Sequence, residues 1–377
     1  MKIIREIARI LIGITFTFSG FVKGIDPLGS TYKFTDYFIA FGAEWATKLS
    51  FILVVTLSIA EFGIGIALLL NYRVKIFSWF SLLFMAFFLP FTLWIAIKNP
   101  VTDCGCFGDA LVISNWETFY KNIVLALLAV IVLLQRHNYI NNYNINFQNG
   151  YFLLILLFFG FVQHRSYHHL PLIDFRPYKI GVNINEAMEV PADAPVDVYK
   201  TEFIYRDKNS GKTKKFDESN YPWQDTLNWE FVDSKSSLIK AGYHAPIHDF
   251  TMENSYGEDI KDFYLHDDKH TFILVAYNLE KTNTRKQIKI NELAQQVLDN
   301  GMSFICLTAS TEEQIETFKN NYHPPYEFLL CDEITLKTMI RSNPGLFMTS
   351  GGSILDKWHW KDIPKIEKLN KLNELKD

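Results

Sequence analysis

The sequence predicts a multi-domain chain, an α-helical transmembrane bundle followed by an α/β domain, and three observations carry that reading. The first 165 of the 377 residues hold long apolar runs such as Phe51-Ile52-Leu53-Val54-Val55 and Leu125-Ala126-Leu127-Leu128-Ala129-Val130-Ile131-Val132. Most of the charge lies beyond them: 25 of the 37 Lys+Arg and 33 of the 41 Asp+Glu follow Arg165, a net charge of -8. From residue 241 onward, short apolar runs alternate with amphipathic ones, the signature of strands and helices taken in turn.

A spanning helix needs about 20 mostly apolar residues, because each rises 1.5 Å across roughly 30 Å of hydrocarbon. Five stretches qualify, at about 7–22, 46–70, 74–97, 119–134 and 145–162. Lys2, Arg5 and Arg9 give the first a basic start like that of a signal peptide. No small-x-small cleavage site follows and more spans come at once, so it reads as a span. With the N-terminus in the cytoplasm, Lys2, Arg5, Arg9, Arg73, Lys75 and Arg136 fall inside, against Lys23, Lys33, Lys48, Lys98 and Lys121 outside. An odd number of spans then places everything after residue 165 on the extracytoplasmic side of the cell (inner) membrane.

Within this half, Glu61 stands in Ile59-Ala60-Glu61-Phe62-Gly63-Ile64-Gly65. An ionisable group at mid-bilayer costs about 2.5–3.5 kcal/mol or more, so it is either functional or a paired lock between helices. Gly63 and Gly65 would permit close helix approach. Pro90 falls inside the third span, where it is expected to kink the helix. Residues 31–39 carry aromatics at helical spacing with polar residues between, as an interfacial helix would.

Between the third and fourth spans stands Asp103-Cys104-Gly105-Cys106-Phe107-Gly108-Asp109. Two thiols one residue apart close a disulfide only through a small, strained ring, and Gly105 is the residue best able to accept that backbone. A strained, exposed pair is exchange-competent rather than structural. Asp103 and Asp109 act against it, because nearby negative charge raises a thiol pKa. The alternative is metal: His164 and His168, one turn apart beyond the fifth span, could join Cys104 and Cys106 around Cu(I) or Zn. Cys-x-Cys is tighter than the usual zinc spacing, and an inert pair is the third reading.

The pattern Arg9…Gly13…Phe16…Ser19-Gly20…Lys23, then Glu61-x-Gly63-x-Gly65, then Asp103-Cys104-Gly105-Cys106-Phe107-Gly108, resembles the DoxX and methylamine-utilisation MauE-like membrane family over about the first 135 residues. The resemblance implies a four-helix membrane unit with a redox role: disulfide formation or maturation of an exported protein in one branch, sulfur-compound or quinone-linked oxidation in the other. It carries over Cys104 and Cys106 as redox thiols and Glu61 as the characteristic intramembrane acid.

In the C-terminal part, strands are expected at 272–276, 304–307 and 326–331, helices at 286–298 and 336–340, and a hairpin from 346–348 to 354–355 across Gly351-Gly352. That order, behind Gly242-x-x-Ala245-Pro246-x-x-x-Phe250, is similar to the thioredoxin-like fold of peroxiredoxin and cytochrome-maturation thiol proteins, with Pro344 where they keep a cis-proline. Their Cys-x-x-Cys would follow the 272–276 strand, and Tyr277-Asn278-Leu279-Glu280-Lys281 stands there instead. Cys306 and Cys331 fall within strands as small buried residues. A hairpin is expected around Asn209-Ser210-Gly211, and the Lys-rich end as a solvated helix.

The expected organisation is therefore a four-helix membrane domain (1–135), a fifth transmembrane helix (136–165), a β-rich linker or subdomain (166–240), a thioredoxin-like domain without Cys-x-x-Cys (241–365) and a charged tail (366–377). The acidic C-terminal part has no basic face to neutralise phosphates, which argues against nucleic acid as a partner. The expected function is a membrane-bound thiol–disulfide or quinone-linked oxidoreductase acting on, or helping to mature, an exported protein partner. Its site is Cys104 and Cys106 with Glu61, and a quinone is the candidate acceptor. A non-catalytic membrane anchor and adaptor, or a Cys/His metal site, are the competing functions.

Overall fold

A computed structural model describes residues 2–101, 103–139, 144–240 and 242–365. Six helices come first: α1 (Lys2–Ile25), α2 (Pro27–Ala40), α3 (Ser50–Leu69), α4 (Val74–Lys98), α5 (Asn115–Leu134) and α6 (Ile145–His168). All but α2 are long and apolar enough to cross a membrane, α3 together with the 3-10 turn Glu44–Leu49 ahead of it. Their outward faces stay apolar, with Leu83, Phe87 and Phe158 more than 60% exposed. Apolar surface on that scale is stable only against lipid, and the chain is a multi-pass membrane protein.

Local chemistry sets where these helices start. The Asp26 side chain accepts from Gly29 N, and Pro27 takes the first helical position of α2. Ser114 and Glu117 form a reciprocal capping box at the start of α5. Inside the bundle, Ile12, Phe16, Ile64, Leu68, Met85, Leu125 and Ala129 make the core shared by α1, α3, α4 and α5. Gly65 is where α3 meets α1, since a Cβ there would lie 2.8 Å from the Gly13 carbonyl oxygen. At Gly63, expected to serve the same purpose, a Cβ would make only an ordinary contact, with a Leu156 methyl at 3.5 Å. Pro90 sits inside α4 without ending it. Helix α6 is peripheral: Gln163 Nε2 donates to Ser58 Oγ at 2.7 Å and Phe159 stacks on Phe62, while most of its surface stays outward.

A separate compact unit covers residues 183–249. It holds α7 (Ile184–Met188) and an antiparallel sheet in the order β2-β1-β3, from β1 (Val198–Asp207), β2 (Thr213–Phe216) and β3 (Trp229–Lys240). The hairpin expected at Asn209-Ser210-Gly211 joins β1 to β2, with Gly211 at φ +70°. Strand β3 has no counterpart among the expected elements, because its near-complete exposure leaves no in–out alternation to read. Residues 171–182 lie instead with the other unit, where Gly181 N donates to Ile354 O at 2.8 Å.

The remaining elements are α8 (Lys261–Leu265), β4 (Thr271–Val275), α9 (Gln287–Asp299), β5 (Ser303–Thr308), α10 (Glu312–Tyr322), β6 (Glu327–Leu330), α11 (Glu333–Met339), β7 (Gly345–Ser350) and β8 (Ser353–His359). Their sheet runs β6-β5-β4-β7-β8, parallel from β4 through β6 and antiparallel for β7 and β8. Strand β4 is buried at every position and α9 covers it with Ile290, Leu293, Ala294 and Val297. This is the thioredoxin-like order that the sequence predicts, and the Asn343–Pro344 bond is cis. The expected helical tail, 366–377, lies outside the described residues.

Candidate functional site

Helices α1 and α3 place three polar side chains in the apolar bundle, and the loop between α4 and α5 closes over them. Lys23 Nζ donates to Glu61 Oε2 at 2.9 Å, to Ser19 Oγ at 2.7 Å and to the Cys106 carbonyl oxygen at 2.7 Å. The three ammonium protons are thereby all used. Ser19 Oγ lies 2.9 Å from both Glu61 Oε2 and Cys106 O, and its one proton serves one of them at a time. Both Lys23 and Glu61 side chains are 6% exposed, so their charges compensate each other where water cannot. Glu61 is thus a paired acid that holds Lys23 under the loop, one residue removed from the sulfurs.

The loop itself turns at Gly105, φ +62°, a conformation that L side chains rarely adopt. Asp103 braces it by accepting from Gly105 N at 2.8 Å and pairing with Lys33 Nζ at 2.6 Å. Cys104 Sγ and Cys106 Sγ, both free thiols, lie 3.1 Å apart. The exposed pair expected from sequence is not what forms. Cys104 is only 8% exposed, packed with Tyr37 and Ile95, and Tyr37 OH donates to the Cys104 carbonyl at 2.8 Å. The helix expected over 31–39 falls within α2, which brings Tyr37 over the loop.

Two sulfurs this close share one proton unequally. A hydrogen bond from Cys104 holds the Cys106 thiol below its ordinary value, at about 6, with help from the Lys121 and Lys23 cations. The same hydrogen bond, together with burial, holds Cys104 well above. The surroundings therefore favour the thiolate at Cys106 over Cys104. Lys121, whose Nζ lies 4.2 Å from the centre of the Phe107 ring, was not identified from sequence. It stands 15 residues from Cys106, on α5 rather than in the cysteine loop, and no local pattern marks it. Ser19 and Lys23 were visible only as members of the family pattern.

The metal alternative finds no support in geometry. Among the described residues, no group of three or more His, Cys, Asp or Glu is arranged to hold an ion, so Cys104 and Cys106 are not joined by His164 and His168. His164 packs on His168, and His168 Nδ1 meets Lys361 Nζ at 2.8 Å. An apolar cavity of about 70 Å³ opens beneath the sulfurs on the bundle side, walled by Phe16, Phe84, Phe88 and Phe91.

In the soluble part, burial pushes the Cys331 thiol up to about 12 and raises Cys306 as well. The segment standing in place of Cys-x-x-Cys meets the membrane part instead: Tyr277 OH lies 3.5 Å from Tyr32 OH of α2.

Compared with known proteins, residues 1–135 match the family described as "Methylamine utilisation protein MauE", and residues 199–241 match a domain of unknown function (DUF8463). No curated protein matches. Two solved structures resemble the chain. One is the C-terminal domain of a protein described as a thiol-disulfide oxidoreductase from Bacteroides thetaiotaomicron, 16% identical, covering 33% of this chain and 90% of that one, TM-score 0.28. The other is a protein described as a thioredoxin from Neisseria meningitidis, 16% identical, covering 33% and 85%, TM-score 0.27. Over residues 1–135, then, the chain is similar to the MauE family, and behind that part it carries an α/β domain built on a five-stranded mixed sheet.

Proposed function

We propose that the chain is a thiol–disulfide redox protein of the inner membrane. Its N-terminus is cytoplasmic and its cysteine loop and soluble domain are extracytoplasmic, where it acts on or helps to mature an exported partner. The observation that supports this most directly is the pair of free thiols 3.1 Å apart with opposite proton affinities. Such a pair is built for exchange: Cys106 attacks as thiolate, and Cys104 resolves the mixed disulfide once its proton has left. Lys23 and Lys121 favour the thiolate electrostatically, and Glu61 is a positioning residue that keeps Lys23 in place. The thioredoxin-like domain adds no exchange thiol, since Cys306 and Cys331 are buried in its sheet region.

A quinone, the candidate acceptor, has a cavity of the right character beneath the sulfurs but not of the right size. Ligand pockets begin at roughly 300 Å³, against about 70 Å³ here. No step is routed through one.

A Cys104→Ser variant tests the assignment, because it leaves the attacking thiolate and removes the resolving one. It is expected to accumulate a mixed disulfide with its exchange partner, visible on non-reducing gels and released by reductant. A Cys104→Ser/Cys106→Ser variant that supports the partner as well as the native chain does would overturn the reading in favour of the adaptor.

A further inference from the structure

The end of the bundle opposite the cysteine loop is where α1 and α6 begin, α5 ends and α3 turns into α4. Two of its arginines, Arg5 and Arg9, share Glu6 and lie over the Tyr139 ring, so part of their charge is met within the chain. Arg73, Lys75 and Arg136 are not met in this way: among the described residues, none of the three lies within ion-pair distance of a carboxylate. They come from the turn after α3, the first turn of α4 and the 3-10 turn Arg136–Asn138 behind α5. All three wall one groove of about 500 Å³, completed by residues such as Tyr139, Ile145 and Gln148, and no described carboxylate lines it.

Local packing holds the cations at the rim of this groove. Tyr72 is buried, donates its hydroxyl to Asn149 Oδ1 at 2.8 Å and stacks on Phe152, which ties the turn between α3 and α4 to α6. The Arg73 guanidinium lies 5.6 Å from the centre of the Tyr72 ring, and that of Arg136 5.9 Å from the centre of the Trp79 ring. Arg136 donates Nη1 to Leu133 O at 2.9 Å, and a guanidinium has further N–H groups to give. Beside the charges the groove is bordered by apolar side chains that face outward: Ile76, Trp79 and Ile145 are 46%, 57% and 45% exposed. Trp79 stands one turn from Lys75 on the same face of α4. Cations at the end of spanning helices, with an apolar flank directly beneath them, match a molecule with an anionic head and hydrocarbon tails. A free anion would leave the apolar flank unused, and a zwitterionic head would bring a cation of its own to a place that already holds three.

We propose that this groove binds an anionic phospholipid, its phosphodiester held by Arg73, Lys75 and Arg136 and its acyl chains laid against Ile76, Trp79 and Ile145. The site goes beyond the thiol chemistry and is independent of it. A lipid seated there bridges α4 and the end of α5 to the start of α6, a helix most of whose surface faces outward and which leads into the soluble part. The lipid therefore braces that helix at the end where it enters the bundle.

The test uses the full chain in detergent, titrated with dioleoylphosphatidylglycerol or dioleoylphosphatidylcholine, which share their tails and differ in head charge. Lipid retained per chain is read by native mass spectrometry. Phosphatidylglycerol is expected to be retained at about tenfold lower concentration than phosphatidylcholine. Arg73→Gln, Lys75→Gln and Arg136→Gln should each reduce that preference by up to about fivefold, and the triple variant should abolish it. The single variants carry the test if the triple one fails to fold. Lys2→Gln/Lys48→Gln/Lys98→Gln removes the same charge from exposed lysines outside the groove and should keep the preference. Equal retention of the two lipids by the native chain would overturn the proposal, and so would an equal loss of preference in the lysine control, which would show attraction without a site. Inorganic phosphate that strips the lipid better than sodium chloride of the same ionic strength would overturn it as well, because the groove would then be taking a free anion. None of these outcomes bears on Cys104 and Cys106.

Discussion

Two regions of the molecule hold cysteines out of full contact with water, yet only one surrounds a thiol with groups that lower its proton affinity. Cys306 and Cys331 sit in or beside a sheet where desolvation is the largest influence and no cation offsets it, so their protons are held tightly. Cys106 is half-buried, but a second thiol lies 3.1 Å away and two cations face it. Burial silences a thiol when nothing polar accompanies it, and the same burial strengthens every charge interaction when something does.

The sharpest way to break this comparison is to exchange the roles of the two pairs. Replacing Cys306 and Cys331 together by Ala is expected to leave disulfide exchange at the native rate, whereas Cys104→Ser/Cys106→Ser reduces it to background. Loss of exchange in the first variant, with the fold intact by circular dichroism, would move the reactive sulfurs to the soluble domain. Next in size is the buried ion pair. Glu61→Gln leaves the Lys23 ammonium without its counter-charge and is expected to cost about 3–5 kcal/mol, read as a lower melting temperature of the detergent-solubilised chain. A Lys23→Met/Glu61→Leu variant should recover most of that stability while exchange stays impaired, which separates holding the fold from tuning the sulfur. The smallest effect expected is that of Lys121→Met. Removing one of the cations that face Cys106 should move the midpoint of its alkylation rate against pH upward by about one unit from about 6. The sign follows from the charge: a cation favours the thiolate, so without it the thiolate forms only at higher pH. An unmoved midpoint would leave the Cys104 hydrogen bond and Lys23 as the causes.

The apolar runs made the five spans legible, because a helix in lipid needs length and hydrophobicity and little else. The strand and helix order of the soluble domain was legible for a similar reason, since β4 and β5 are short continuous apolar runs and α9 repeats with a period near 3.6. Strand β3 escaped notice because it is exposed along nearly its whole length and carries no such pattern. At the site, Cys104, Cys106 and Glu61 stood out by residue type alone.

What the sequence determined by itself is the kind of each element and the presence of an acid and two thiols near the ends of spans, since local periodicity and composition encode these. What only the tertiary structure decided is who pairs with whom. Lys23 meets Glu61 across 38 positions, Tyr37 covers Cys104 across 67, and Arg341 reaches Asp26 across 315. Contacts of that separation depend on how helices pack against one another and against the docked domain. No window of neighbouring residues records that packing, and it is what brings the Lys23 and Lys121 cations to Cys106.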